Sequence, residues 1–348
     1  MANVSHKSTV NRLIPCTESR PARTFRALRT RVSLDLSLTR DRQAIPMTDV
    51  VPMQATRPAT TLQAVIVACR PKQWMKNGFV AAALVFSDHL SDPQSVIRTA
   101  WAVAIFCLIS SAGYLVNDVV DVDRDRLHPT KRTRPVAAGN LTVGLAIGFA
   151  VALAGTGLIG AMLISGGFAL VATAYAALTV TYTMILKRIF VIDVLAVASG
   201  FVLRAAAGAV AINVPMSAWL GVLTGMLALF IVLGKRRADR EVDGPPVVAY
   251  DPEQLDWSLR AVGSAIVLLY AVYTLVASNL PRDHAMVLTV PLVAAGLWRY
   301  FMLVRRARPG ATLSLAGAPE EMLLRDPALL LIVGAWVVTS LAILYGVQ

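Results

Sequence analysis

The chain has 348 residues, 56% of them hydrophobic and only 16% charged, with a mean hydropathy of +0.61 and a formal net charge of +12. A soluble domain carries about 25% charged residues, so two soluble domains fit poorly. The basic excess lies between apolar blocks rather than on one face, which argues against a nucleic-acid partner.

In chain order, residues 1–61 read as a disordered basic tail, rich in Arg, Ser, Thr and Pro and poor in acids. It has no apolar core of a secretory signal, although its composition is superficially that of an organellar transit peptide. The fold begins near Leu62, so Met47 or Met53 is an alternative start. Residues 62–348 form one membrane domain. Nine apolar blocks of bilayer-spanning length follow, at 74–90, 96–116, 141–163, 168–186, 190–212, 216–234, 259–280, 285–304 and 327–345. The expectation is an all-α polytopic bundle of nine transmembrane helices. The first block is short and opens on the polar stretch 70–77.

Orientation follows from the Lys/Arg bias of short loops. The loops after spans two, four, six and eight carry Arg124, Arg126, Lys131, Arg132 and Arg134, then Lys187 and Arg188, then Lys235, Arg236, Arg237 and Arg240, then Arg305, Arg306 and Arg308. Of the opposite loops, 164–167 and 213–215 carry none and 279–284 carries Arg282 alone. The N-terminus is thus expected in the cytoplasm and the C-terminus outside. Of the three cysteines, Cys16, Cys69 and Cys107, no two form a CxxC pair, so neither a disulfide framework nor a zinc site is implied.

The chemistry concentrates in residues 117–139, NDVVDVDRDRLHPTKRTRPVAAG, at the cytoplasmic end of the second span. Asn117, Asp118, Asp121 and Asp125 share one face of a continuous helix, and Asp123 points away. Like charges so placed repel unless a cation lies between them. Mg²⁺ takes a few carboxylates and completes its shell with substrate phosphates. The face therefore suggests a Mg²⁺–diphosphate site, against the plainer reading of a solvated charged cap. His128, Lys131, Arg132 and Arg134 follow at once, a cluster able to hold phosphate oxygens or merely to set topology.

A second polar region spans Tyr182 to Arg204. Lys187 and Arg188 occupy a short loop, and Asp193 and Arg204 fall on one helical face about 16 Å apart. An arginine that deep needs a partner or a wet cavity. Either it pairs with an acid on another helix, or both residues line the active cavity. A third region, RPKQWMKN, offers Arg70, Lys72, Gln73, Lys76 and Asn77 at a span entrance, with interfacial anchoring as the alternative. Lys235, with Arg236 and Arg237, is either topogenic charge or a phosphate contact.

With Asn117, Asp118, Asp121 and Asp125 as its NDxxDxxxD motif on the second of nine spans, the sequence resembles the UbiA superfamily of intramembrane prenyltransferases over residues 62–346. The resemblance implies a helical bundle with two polar, Mg²⁺-binding regions facing a central cavity. RPKQWMKN, YLVNDVVDVDRDRLHPTKRTRP, GFVLRAAAGAVA, LGKRRAD and APEEMLLRDPALLL, in this order, resemble more narrowly the branch that transfers 5-phosphoribose from phosphoribosyl diphosphate to decaprenyl phosphate, a polyprenyl phosphate lipid. The product of that branch feeds the arabinose donor of cell-wall arabinan. The second region departs from the usual carboxylate-rich motif. It has Asp193 with Lys187, Arg188 and Arg204, and fewer acids with more cations suit more phosphate.

On this reading Asp118, Asp121 and Asp125 are catalytic and, with Asn117, hold Mg²⁺. Lys131, Arg134, Lys187 and Arg204 are candidate phosphate contacts, with Arg70, Lys72, Lys76, Asn77, Arg132, Tyr182 and Lys235 as further substrate contacts. Asp193 completes the metal site or orients a cation. Two other classes stay open: a prenyltransferase with a prenyl diphosphate donor and an aromatic acceptor, and a non-enzymatic lipid-phosphate carrier. Assembly into a homo-oligomer is left open.

Overall fold

A computed structural model describes residues 60–189, 191–242, 251–278, 280–281, 283–306, 322 and 325–345. The basic tail up to residue 59, Met47, Met53, Asn279, Arg282 and Arg308 lie outside them, as does the Arg240 side chain. The described residues form helices and turns without a strand.

The chain enters through α1 (Thr61–Ala68), closed by a capping box in which Thr60 and Gln63 bond each other's backbone. A 3₁₀ stretch, Pro71–Ala81, and α2 (Ala82–Phe86) follow. Then come α3 (Pro93–Val120), α4 (Val122–Leu127), α5 (Val143–Ile164), α6 (Gly166–Met184), α7 (Ile192–Ala211), α8 (Ala218–Val242), α9 (Pro252–Val276), α10 (Val290–Arg306) and α11 (Pro327–Tyr345). Among the described residues, eight helices are long and apolar enough to cross a membrane. They match the last eight expected blocks to within a few residues at most ends. The helix expected at 259–280 starts earlier because Asp251 caps it and Pro252 occupies its first turn.

The block at 74–90 is not one α-helix. It is divided between the 3₁₀ stretch, α2 and the turn that follows. Pro71 and the polar run Lys72–Asn77 disfavour a continuous apolar helix, and tertiary contact holds the broken form. Val80 is fully buried, and its carbonyl lies so close to α7 that a β-carbon on Gly208 would stand 1.8 Å from the oxygen. Irregular backbone at membrane depth is tolerated where protein covers it.

Helices α3 and α7 are the most buried spans, and α5 and α11 the least. Helix α3 packs on α5, α6, α7 and the 3₁₀ stretch, and α7 packs on α6 and α8. Phe106, Phe168, Ile105 and Ala207 fill the junction of α3, α6 and α7. A second core joins α8, α9 and α10 around Phe230, Leu259 and Tyr300. This inner pair brings the C-terminal end of α3 and the N-terminal end of α7 together.

Candidate active site

Helix α3 ends at Val120, and Asp121 is the joint before α4, with φ −96° and ψ 6°. The three motif aspartates are therefore not on one unbroken helix as the spacing alone suggests. The aspartates on either side of the joint share one cation, and Asp121 at the joint has another. Arg134 places Nη1 2.6 Å from Asp125 Oδ2 and 3.4 Å from Asp118 Oδ1. Lys187, from the turn between α6 and α7, places Nζ 2.6 and 2.7 Å from the two Asp121 oxygens and 3.5 Å from Asn117 Oδ1. The cation that the like charges demand is supplied by the chain itself. Asp123 points away as expected and pairs with Arg126 at 3.1 Å in an exposed position.

Arg70 reaches the same layer from the other side. It adopts a left-handed conformation, φ 53°, between α1 and Pro71. A residue before proline is barred from the α region, and the left-handed turn re-aims the chain. Its guanidinium bonds Asp118 Oδ1 and lies 5.2 Å from the Tyr114 ring centroid. Asp118 and Asp125 are both 2% exposed, so these pairs are held in a low-dielectric setting, where removing one partner is costly.

In the second region Asp193 and Arg204 meet different partners. Asp193 pairs with Arg236 of α8, Oδ2 to Nη2 at 2.8 Å, and Arg236 also donates to the Tyr182 hydroxyl at 3.2 Å. Asp193 thus orients a cation. Arg204 pairs with no acid among the described residues. Its Nε donates to Asn77 Oδ1 at 2.9 Å, Nη2 to Tyr175 OH at 2.6 Å and Nη1 to the Gly200 carbonyl at 3.1 Å. Asn77 in turn donates to Ser110 of α3 at 3.2 Å. Ser110 is two turns from Asn117, so Arg204 and Asn77 form a deeper layer below the carboxylates.

Lys131 is half-buried and Arg132 exposed, beside the motif. Lys72 is exposed, and Lys76 bonds its neighbour Gln73. Lys235 is half-buried and has no ion pair among the described residues. Reasoning from sequence passed over Tyr175 and Tyr114, and read Arg236 as topogenic charge or a phosphate contact rather than as the partner of Asp193. A tyrosine amid the apolar run of α6 is the signal that could have found Tyr175.

The oxygen set suits Mg²⁺. Three carboxylates and an amide oxygen stand around one helix joint, and Asp118 Oδ2 is buried without a hydrogen-bond partner among the described residues. No three acidic, histidine or cysteine side chains among those residues converge closely enough to enclose an ion unaided.

A bundle of apolar helices closes over an aspartate–cation layer. Residues 78–324 match the model of the UbiA prenyltransferase family, and the chain belongs to that family and is a multi-pass membrane transferase. It is 36% identical over 291 residues to the decaprenyl-phosphate phosphoribosyltransferase of Corynebacterium glutamicum, covering 80% of this chain and 86% of that one. It is 35% identical over 306 residues to the enzyme of the same name from Mycobacterium tuberculosis, covering 83% and 97%. Among solved structures, a UbiA homolog from Archaeoglobus fulgidus bound to GPP and Mg²⁺ superposes with a TM-score of 0.62 at 19% identity, over 81% of this chain and 99% of that one.

Proposed function

We propose that this enzyme transfers 5-phosphoribose from phosphoribosyl diphosphate to a polyprenyl phosphate, decaprenyl phosphate by its relatives' names, with release of diphosphate. One observation carries the reading. Arg70, Arg134 and Lys187 converge on the motif aspartates from three separate segments, and Arg236 pairs with Asp193 in the first turn of α7. A site with that many cations suits a donor bearing a diphosphate and a 5-phosphate and an acceptor bearing another phosphate. An aromatic acceptor would bring none.

In the reaction, the bond from ribose C1 to the diphosphate oxygen breaks with its electron pair leaving on diphosphate. A new bond forms from C1 to a phosphate oxygen of the lipid. The ribosyl centre passes through an oxocarbenium-like state, as in other glycosyl transfers. The nucleophile is already anionic, so no strong general base is needed. Asn117, Asp118, Asp121 and Asp125 would hold Mg²⁺, which when bound neutralises charge on the leaving diphosphate. Arg134, Lys187 and Arg70 orient phosphate oxygens and stabilise the developing charge. Lys72, Lys76, Lys131, Arg132, Tyr182 and Lys235 are proposed outer contacts, and Asp193 holds Arg236 in place.

We read residues 61–86 as the remaining crossing, which makes nine spans with the N-terminus and active site on the cytoplasmic side and the C-terminus outside, in the cell membrane. The product would serve cell-wall arabinan synthesis. The test is an assay of the purified protein with labelled phosphoribosyl diphosphate, decaprenyl phosphate and Mg²⁺, with an EDTA control. Metal-dependent label in the organic phase is expected. No transfer by folded protein would overturn the reading and turn attention to prenyl diphosphate donors with aromatic acceptors.

A further inference from the structure

Two neighbouring residues of α8 face different helices. Arg236 turns to Asp193 of α7, whereas Arg237 turns to Asp256 of α9, Nε to Oδ1 at 3.0 Å. Asp256 also receives Arg305 of α10, Nε to Oδ2 at 3.7 Å. One turn further along α9, Arg260 meets no carboxylate among the described residues. Its guanidinium carbon stands 5.7 Å from the Phe301 ring centroid, and that of Arg305 stands 5.6 Å from the same centroid. Two arginines therefore share one aspartate while Arg260 has none among the described residues, and Arg260 and Arg305, from different helices, are drawn to a single ring. A ring quadrupole attracts each cation weakly and does not neutralise either.

The surroundings name the medium. Trp257, one turn before Arg260, is 71% exposed, and Trp298, which stacks near Phe301 at 6.2 Å, is 62% exposed. Trp257, near the start of α9, belongs at the level of lipid headgroups, whereas Trp298, midway along α10, lies deeper on the exposed face. An arginine at that depth with no acid beside it calls for an anion. Cationic clefts between spans at the cytoplasmic surface take anionic lipid headgroups.

We propose that the cleft between α9 and α10, formed by Arg260, Phe301 and Arg305, binds the phosphodiester headgroup of an anionic bilayer phospholipid. Its phosphate lies between the two guanidinia, and its acyl chains run down past Trp298. The inference does not rest on the proposed reaction, since none of these residues belongs to the aspartate site.

The test is native mass spectrometry of the full-length protein released from nanodiscs containing equal amounts of phosphatidylglycerol and phosphatidylcholine. The protein should retain phosphatidylglycerol preferentially. Arg260→Gln and, independently, Arg305→Gln should each lose most of that preference, while Arg260→Lys should keep part of it. A thermal melt of each variant identifies any loss caused by unfolding, and the lysine variant then carries the comparison. Equal retention of both lipids, or unchanged retention in both glutamine variants, would overturn the proposal. So would a preference for added polyprenyl phosphate over phosphatidylglycerol that Arg260→Gln abolishes, because the cleft would then be an acceptor site.

Discussion

The ammonium of Lys187 grips both carboxylate oxygens of Asp121, at 2.6 and 2.7 Å, and so ties the end of α3 to the turn before α7. Lys187 is 9% exposed, so the pair is shielded from solvent. Lys187→Met should lower transfer on the order of 10²-fold, as loss of one preorganised charge donor does. It should also cost about 3 kcal/mol of stability by stranding Asp121. Lys187→Arg should recover more stability than activity, because a planar fork cannot place a point charge at the same spot. Kinetics and thermal melts of the same preparations check both parts, and a Met variant with wild-type turnover would remove Lys187 from the site.

Asp118→Asn and Asp121→Asn should each be folded and nearly inactive, since each loses a hard anionic ligand while keeping its shape. Because Arg70, Arg134 and Lys187 already hold the carboxylates, Mg²⁺ alone should bind weakly and diphosphate should strengthen it. Titration with Mn²⁺ followed by electron paramagnetic resonance, with and without diphosphate, reads this directly. Tight Mn²⁺ binding that diphosphate does not alter would count against the arrangement. Removal of metal with EDTA should abolish transfer without lowering the melting temperature, because the ion pairs do not need it.

Gly208 tests the broken first segment. A methyl there would meet the Val80 carbonyl at 1.8 Å, and backbone cannot swing aside as a side chain can. Gly208→Ala should destabilise by about 1–3 kcal/mol, the usual range for overpacking. It should also reduce activity by shifting the segment that delivers Arg70 to Asp118. Gly148→Ala is the control, as nothing lies within 4 Å of its added carbon. It should be neutral or slightly stabilising, in line with the helix preference for alanine. Equal melts for the two variants would refute the close approach.

Asp326 caps α11 by accepting the Leu329 N–H at 2.7 Å and accepts from Arg299 Nη2 at 2.6 Å and Nε at 3.1 Å. The Arg299 hydrogen bond, and after it the Leu329 N–H, hold its carboxyl below the usual range against the opposing effect of desolvation. A carboxyl depressed in the folded state stabilises above its unfolded pKa of about 3.9, and that stability is lost as pH falls through the folded value. Asp326→Asn should therefore melt lower than wild type near neutrality, and the gap should close in acid. Melting temperatures across that range check it, and a constant gap would show that the pair contributes no pH dependence.

The order of the membrane helices and the aspartate motif were legible in the sequence because both are local. A run of apolar residues long enough to span a bilayer buries itself whatever its neighbours do, and α11 occupies residues 327–345 as its hydropathy suggests. The basic character of the site was legible too, in Arg70, Arg134, Lys187 and Arg204. Which charge meets which was not, because that is decided between helices far apart in the chain. The helical wheel placed Asp193 and Arg204 on one face but named no partner for either, whereas packing of α8 against α7 brings Arg236 to Asp193, and Arg204 meets Asn77 and Tyr175 rather than an acid among the described residues. The same holds for the first segment. Its polar residues warned of a break, but only the bare surface of α7 at Gly208 allowed the Val80 backbone to come close enough to bury it.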